Sequence, residues 1–323
     1  MNIGFIGAGR IANTLAGTMA QMEDVTLYAV AARDLDRARA FAEKYGFRRA
    51  NGSYEEMLAD PEVELVYIAT PHSHHAQHMK LCIDHGKNVL CEKAFTLNAA
   101  EAREIAALAR EKGVYVAEAI WTRYMPSRQL INEVLASGII GNVTTLTATL
   151  CYPVAYKERC SRPELAGGAL LDVGVYCLNF ALMHFGDDIE RMESSVRFTD
   201  TGVDGQESIT LHYRDGKMAV LTAGILSRSD RKGIFYGDKG YIIVENINNP
   251  QSISVYDLGD KLVKRIEVPE QITGYEYQIR EAMARIRAGQ TEAESMPLAE
   301  SIAVMERMDR LRRDWGLMYP MER

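Results

Sequence analysis

Residues 3–19 read IGFIGAGRIANTLAGTM. A short apolar strand runs into Gly7-Ala-Gly9-x-x-Ala12, and a helical pattern follows without a break. Each small residue of this G-x-G-x-x-A has a mechanical reason. Gly7 permits a tight turn, Gly9 lets the backbone approach a pyrophosphate, and Ala12 allows close helix–strand packing. The helix N-terminus, entered through Arg10 and Ile11, offers free N–H groups and positive potential to phosphate oxygens. The spacing predicts a dinucleotide site built on Gly7, Gly9, Arg10, Ile11 and Ala12. A ligand-free strand–helix turn is the plainer reading of the motif taken alone.

Working outward, strands and helices alternate through the first 118 residues. The apolar runs IGFIG, VTLYAVAA, VELVYIAT, NVLC and VYVAE are short enough for strands buried on both faces. Between them, LDRARAFAEKYG places Ala38, Phe41, Ala42 and Tyr45 on one helical face and stops at Gly46. LNAAEAREIAALAREKG repeats the pattern, with Asn98 as cap and Gly113 as stop. This alternation predicts an α/β architecture, a doubly wound parallel (Rossmann) sheet. After about residue 120 the pattern becomes TTLTATL, SITLHY, KMAVLTAGI, GYIIVE, SISVYDL and KLVKRIEV, strands joined by short turns. One helical segment, GGALLDVGVYCLNFALMHFG, interrupts them, and two amphipathic helices close the chain. The expected division is a dinucleotide-binding domain over 1–119 and an α+β substrate and oligomerisation domain over 120–323, with an open, mainly antiparallel sheet.

Composition narrows the function classes. The 323 residues are 47% hydrophobic and 25% charged, ordinary for a globular protein, with a net charge of −7. That charge argues against a nucleic-acid partner. No run of eighteen apolar residues is present, so no membrane span is expected. Met1 leads straight into the first strand without a secretory leader pattern, and five cysteines include no C-x-x-C. Both features predict a cytoplasmic protein with reduced thiols.

The ribose-reading position lies about twenty residues past the glycine loop. There the chain has Ala31-Ala32-Arg33-Asp34. An acid at the strand end would hold a free 2′-hydroxyl and repel a 2′-phosphate. Small residues followed by Arg33 instead leave room for the phosphate and offer a forked cation. NADP(H) is therefore expected over NAD(H), which remains possible. Five of seven histidines fall in TPHSHHAQHMKLCIDHG, yet no set of further ligands at metal spacing accompanies them, and no metal is expected. Thr70-Pro71 and Glu92-Lys93 each end a parallel strand, where open α/β sheets bind ligands. Thr70, Pro71, His75, Glu92 and Lys93 are thus candidates for the cofactor crevice, and Lys93 can reach a nicotinamide ribose or a substrate hydroxyl.

The combination of GAGRIA, Thr70-Pro71-x-x-x-His75, Glu92-Lys93 and GGALLDVGVY resembles the glucose–fructose oxidoreductase/inositol dehydrogenase (Gfo/Idh/MocA) family over essentially the whole chain. The resemblance implies NAD(P)-dependent redox chemistry at a carbinol carbon of a sugar or cyclitol, with Lys93 and Asp172 at the reacting centre. Two letters depart from the family's pattern: Ala94 where many members have proline, and Tyr176 where many have histidine. Tyrosine there, with EAIWTRYMP, is similar to the branch holding dimeric dihydrodiol dehydrogenase and NADP-linked D-xylose dehydrogenases.

The residues make this chemistry coherent. A phenol of pKa ~10 is a weak base at neutral pH, and an ammonium within about 4–6 Å lowers that value. Tyr176 is the expected acid/base, Lys93 its electrostatic tuner, and Asp172, four residues before Tyr176, the orienting group. Trp121, Arg123 and Tyr152 are candidates for a small-molecule sugar or polyol substrate, with packing as the alternative for the first two. A catalytically silent NADP-binding sensor, or a reductase of a ketose, anhydrosugar or dicarbonyl, are the rival readings. The open sheet's uncovered face, with the resemblance, implies a homodimer or dimer of dimers.

Overall fold

The strand β1 (Asn2–Ile6) that opens the chain sits inside a six-stranded sheet with β2 (Thr26–Ala31), β3 (Arg49–Asn51), β4 (Leu65–Ile68), β5 (Asn88–Glu92) and β6 (Val116–Ala119). All pairs are parallel, in the order β3-β2-β1-β4-β5-β6. The order reverses between β1 and β4, which is where such sheets open a ligand crevice. This is a computed structural model, and it describes residues 1–322.

Local signals explain the helices flanking the sheet. Asp34 caps the helix Leu35–Tyr45 by accepting from the backbone N–H groups of Asp36 and Arg37, and Gly46 ends it at φ +78°. Asn98 caps Ala99–Lys112 through the Glu101 N–H at 3.0 Å, while Glu101 reaches back to the Leu97 N–H at 2.9 Å. The buried stripe of the helix Leu35–Tyr45 packs onto the sheet, where Phe5, Phe41, Phe47 and Tyr67 form a ring cluster with centroids 5.0–6.4 Å apart.

The chain closes as two units, 1–124 with 271–306, and 125–270 with the residues from 307 onward. The contiguous division expected at 119/120 therefore does not describe how the first unit is completed. Its edge strand β6 gives the Val116 N–H to the Thr291 carbonyl at 3.0 Å, and Ile279, Ala282 and Met283 of the helix Glu276–Arg287 are buried. A strand edge left with free backbone groups needs such cover.

The second unit holds an eight-stranded sheet: β7 (Val143–Cys151), β8 (Ile189–Phe198), β9 (Asp204–Tyr213), β10 (Met218–Gly224), β11 (Gly233–Gly237), β12 (Gly240–Val244), β13 (Ser252–Asp257) and β14 (Leu262–Glu267). Its order is β14-β13-β12-β11-β7-β10-β9-β8, antiparallel throughout except for β7 beside β10. Strict alternation sends Leu146, Ala148, Leu150, Ala219, Leu221, Phe235, Ile242 and Val255 to the buried face. The helix Val175–Phe185 packs in the same unit as these residues, and a five-residue π-helical turn, Leu170–Gly174, precedes it. The segment 163–185 is long and apolar enough to cross a membrane, but 94% of its apolar window is buried within the protein, as a core helix would be. On the opposite sheet face Tyr236, Tyr241 and Tyr256 form a ladder, the last two rings stacked at 5.0 Å.

Candidate active site

In the first unit, the carboxyl ends of β1, β4 and β5 deliver the residues expected at the crevice. Gly7 adopts φ +100°, and a Cβ there would stand 2.9 Å from the Ala69 carbonyl, so only glycine fits the turn. Gly9 is the N-cap of the helix Arg10–Met19 and brings no capping side chain, and the first turn carries no acid. Those N–H groups and the absence of negative charge fit a pyrophosphate. Ala12 is buried against the sheet, Ile11 is half-buried, and Arg10 is exposed at the loop.

Arg33 is exposed just past β2, with no acid at the strand end, and Asp34 is turned into its capping role. Arg37, one turn into the next helix, donates to the Ala8 carbonyl at 3.1 Å and so ties that helix to the glycine loop. Arg33 and Arg37 both act on Tyr54, whose phenol burial nonetheless pushes upward. Arg33 also faces His74 and His78. Burial first, then neighbouring positive groups, bring His78 down to about 4, so it is neutral at physiological pH. The Thr70 hydroxyl meets His78 Nδ1 at 3.0 Å.

His75 is fully buried, and its ring nitrogens stand 2.8 Å from the Ala94 carbonyl and 2.9 Å from the Thr70 carbonyl. The ring thus ties the Thr70-Pro71 end of β4 to the segment beyond β5. Burial holds the His75 ring below its ordinary value. Glu92 turns inward and accepts from the Tyr67 hydroxyl, whereas Lys93 is half-buried just past the strand. The Lys93–Ala94 peptide is cis, at the position where the resembling family often has proline. Trp121 is buried and stacks on Tyr275 at 3.9 Å, and Arg123 is buried and paired with Glu300. Both satisfy packing roles within this unit.

In the second unit, the π-turn carries Asp172 and leads directly into the helix bearing Tyr176. Asp172 accepts from Arg159 Nη1 at 2.6 Å and from the Cys160 thiol at 3.4 Å. Burial works against the Arg159 charge, but Asp172 more than restores it, and Tyr176 lies close enough to add to the field. Tyr176 is itself buried but for 9% of its surface. Tyr152 is half-buried where the chain leaves β7, its N–H bonded to the Gly224 carbonyl at 3.0 Å. Arg159, Arg37, Tyr67 and Tyr275 are neighbours of the expected site that pattern reading missed. Each occupies an ordinary polar or aromatic position in sequence, and only tertiary contact reveals it. Among the described residues, no group of three or more His, Cys, Asp or Glu side chains could hold a metal ion.

Comparison with known proteins identifies the chain's relatives. A family model described as "Oxidoreductase family, NAD-binding Rossmann fold" matches residues 1–119, and one for the GFO/IDH/MocA C-terminal domain matches residues 129–243. Trans-1,2-dihydrobenzene-1,2-diol dehydrogenase of Mus musculus is 35% identical over 99% of this chain and 98% of its own. The Homo sapiens protein of that name is 33% identical over the same shares. Among solved structures, the 3-ketoreductase KijD10 from Actinomadura kijaniata, in complex with NADP and TDP-benzene, superposes with a TM-score of 0.88 at 24% identity, covering 97% of each chain. The aldose–aldose oxidoreductase from Caulobacter crescentus complexed with glycerol gives 0.87 at 20% identity, covering 97% of this chain and 96% of its own. At those identities the structural likeness concerns the fold.

Proposed function

Because the chain belongs to the GFO/IDH/MocA family of NAD(P)-dependent oxidoreductases, we propose that it moves hydride between NADP(H) and a carbinol carbon of a sugar, cyclitol or vicinal diol. The observation that carries this reading is the gathering of the glycine loop, Thr70 and Lys93 at the carboxyl ends of β1, β4 and β5. Relatives at 33–35% identity named for a trans-1,2-diol favour a vicinal diol within that class.

When bound, the nicotinamide supplies the hydride chemistry. The chain's own task is the proton. Tyr176 takes the alcohol proton at its phenol oxygen during oxidation and returns it during reduction. Lys93, as an ammonium, favours the phenolate and tunes that exchange toward neutral pH. Asp172, fixed by Arg159, orients the hydroxyl being oxidised or the phenol that serves it. Arg33, with Arg37 beside it, gives the 2′-phosphate its counter-charge.

The test is an NADP⁺- and NAD⁺-linked screen of sugars, inositols and vicinal diols. Tyr176→Phe is expected to lower kcat on the best substrate by about 10²-fold or more without changing NADP binding. Arg33→Ala is expected to lower kcat/KM about tenfold with NADP and little with NAD. Near-wild-type kcat in Tyr176→Phe would overturn the acid/base assignment. Tight NADP binding with no turnover across the panel would favour the sensor reading.

Two further properties belong to the proposal. The half-exposed sheet face with its tyrosine ladder suits pairing with a second copy as a homodimer or dimer of dimers, which a monomeric mass at micromolar concentration would refute. Five buried cysteines, none of them in a disulfide, suit a reducing cytoplasmic compartment.

A further inference from the structure

Beneath the π-turn Leu170–Gly174 lie two acids of β9, Asp204 and Glu207, exposed by only 0% and 2%. Asp204 Oδ2 accepts the Leu170 N–H at 2.6 Å, at the start of the turn. A Cβ on Gly168 would fall 1.9 Å from Asp204 Oδ1, and one on Gly174 2.1 Å from Glu207 Oε1. The glycines bracketing the GGALLDVG segment are therefore bare because the two carboxyls occupy the space a side chain would need.

The carboxyls face each other within hydrogen-bonding reach. Asp204 Oδ1 and both Glu207 oxygens find no conventional donor among the described residues. Two adjacent carboxylates in a dry site cannot both ionise, whereas a protonated carboxyl is itself a donor. The backbone donors at Asp204 stabilise an anion there; the groups acting on Glu207 all disfavour one. That asymmetry favours Glu207 as the carboxyl that keeps a proton.

We propose that Asp204 and Glu207 share one proton, Glu207 donating to Asp204, and that this acid pair is a positioning device that holds the turn presenting Asp172 and Tyr176. The catalytic half of the inference rests on the role given above to those two residues. Other titratable groups face the pair from each packed element: Cys151 of β7, Cys177 of the helix Val175–Phe185, and Tyr319 near the C-terminus, with Arg312 against its ring. Burial lifts Asp204 to about 6 and Glu207 well above the carboxylate range. A raised folded value means the acid pair costs nothing extra below the unfolded value of about 4.5 and loses stability as pH climbs toward the folded one. A glutamine cannot ionise and escapes that loss.

The experiment compares wild type, Glu207→Gln and Glu207→Ala by thermal midpoint from pH 5 to 9 and by kcat, KM and NADPH binding at pH 7. Glu207→Gln should keep kcat within twofold, and its midpoint should gain on wild type steadily as pH rises. Glu207→Ala should lose kcat at least tenfold with NADPH affinity within twofold. A Glu207→Gln midpoint that parallels wild type at every pH overturns proton sharing. Retained kcat in the alanine variant, or equal loss in both variants, overturns positioning. If the alanine variant does not fold, the glutamine variant decides by its midpoint series and kcat. The thermal series needs no substrate, so failure of the Tyr176 assignment would leave it standing.

Discussion

Glu118, one residue before the end of β6, has 1% of its surface exposed and pairs with Cys91 next to the end of β5 at Glu92. Burial pushes its carboxyl up to about 7, against the pull of Ser301, Arg123 and Lys93. Because the folded value lies above the unfolded one, wild type loses stability as pH rises through that window, by about 3 kcal/mol in all. Glu118→Gln should therefore gain on wild type between about pH 4.5 and 7, with no further gain above 7. Urea unfolding across that series checks it, and a constant gap would show an ordinary carboxylate. Residues of this kind were invisible in the sequence. Asp34, Asn98, Gly46 and Gly113 act on backbone two to four residues away, so their neighbours announce them. Glu118, Arg159 and Tyr67 acquire their surroundings from segments far along the chain.

At the level of elements, legibility followed burial pattern. The doubly buried strands β1, β2, β4 and β5 stand out as apolar runs because both faces are covered. β3 is three residues, Arg-Ala-Asn, at a sheet edge, and β8 is exposed along most of one face, so neither carries a clean period. β11 was hidden in what reads as the approach to the Asp238-Lys239 turn, and the helix Pro126–Ala136 was not anticipated. The helical reading of 167–186 was right in kind but blind to the π-turn, whose first N–H, at Leu170, is taken by Asp204 of the distant strand β9. Caps are the elements' most local energy. Asn98→Ala removes the acceptor for the Glu101 N–H and should cost about 1 kcal/mol. For a unit of this size that is a fall of about 2–4 °C in thermal midpoint by calorimetry. No change would mean that Glu101 alone secures the helix start.

For the whole molecule, the deciding feature is that the first unit is discontinuous. Its family and fold class were readable from the glycine loop, Thr70-Pro71, Glu92-Lys93 and GGALLDVGVY, but the contribution of 271–306 was not, because amphipathic helices do not say which sheet they cover. A fragment of residues 1–124 lacks the partner of Val116 and the buried face of Ile279 and Met283. It should show no cooperative thermal transition and no NADPH fluorescence enhancement, and the intact chain should show both. A fragment that melts cooperatively would show that the returning segment is dispensable. The same discontinuity orders events on the ribosome. The nucleotide-binding sheet emerges first, yet the edge of β6 stays open until Thr291 has been synthesised. For most of translation that edge is a site where a chaperone, or a neighbouring nascent chain, competes with the protein's own late residues.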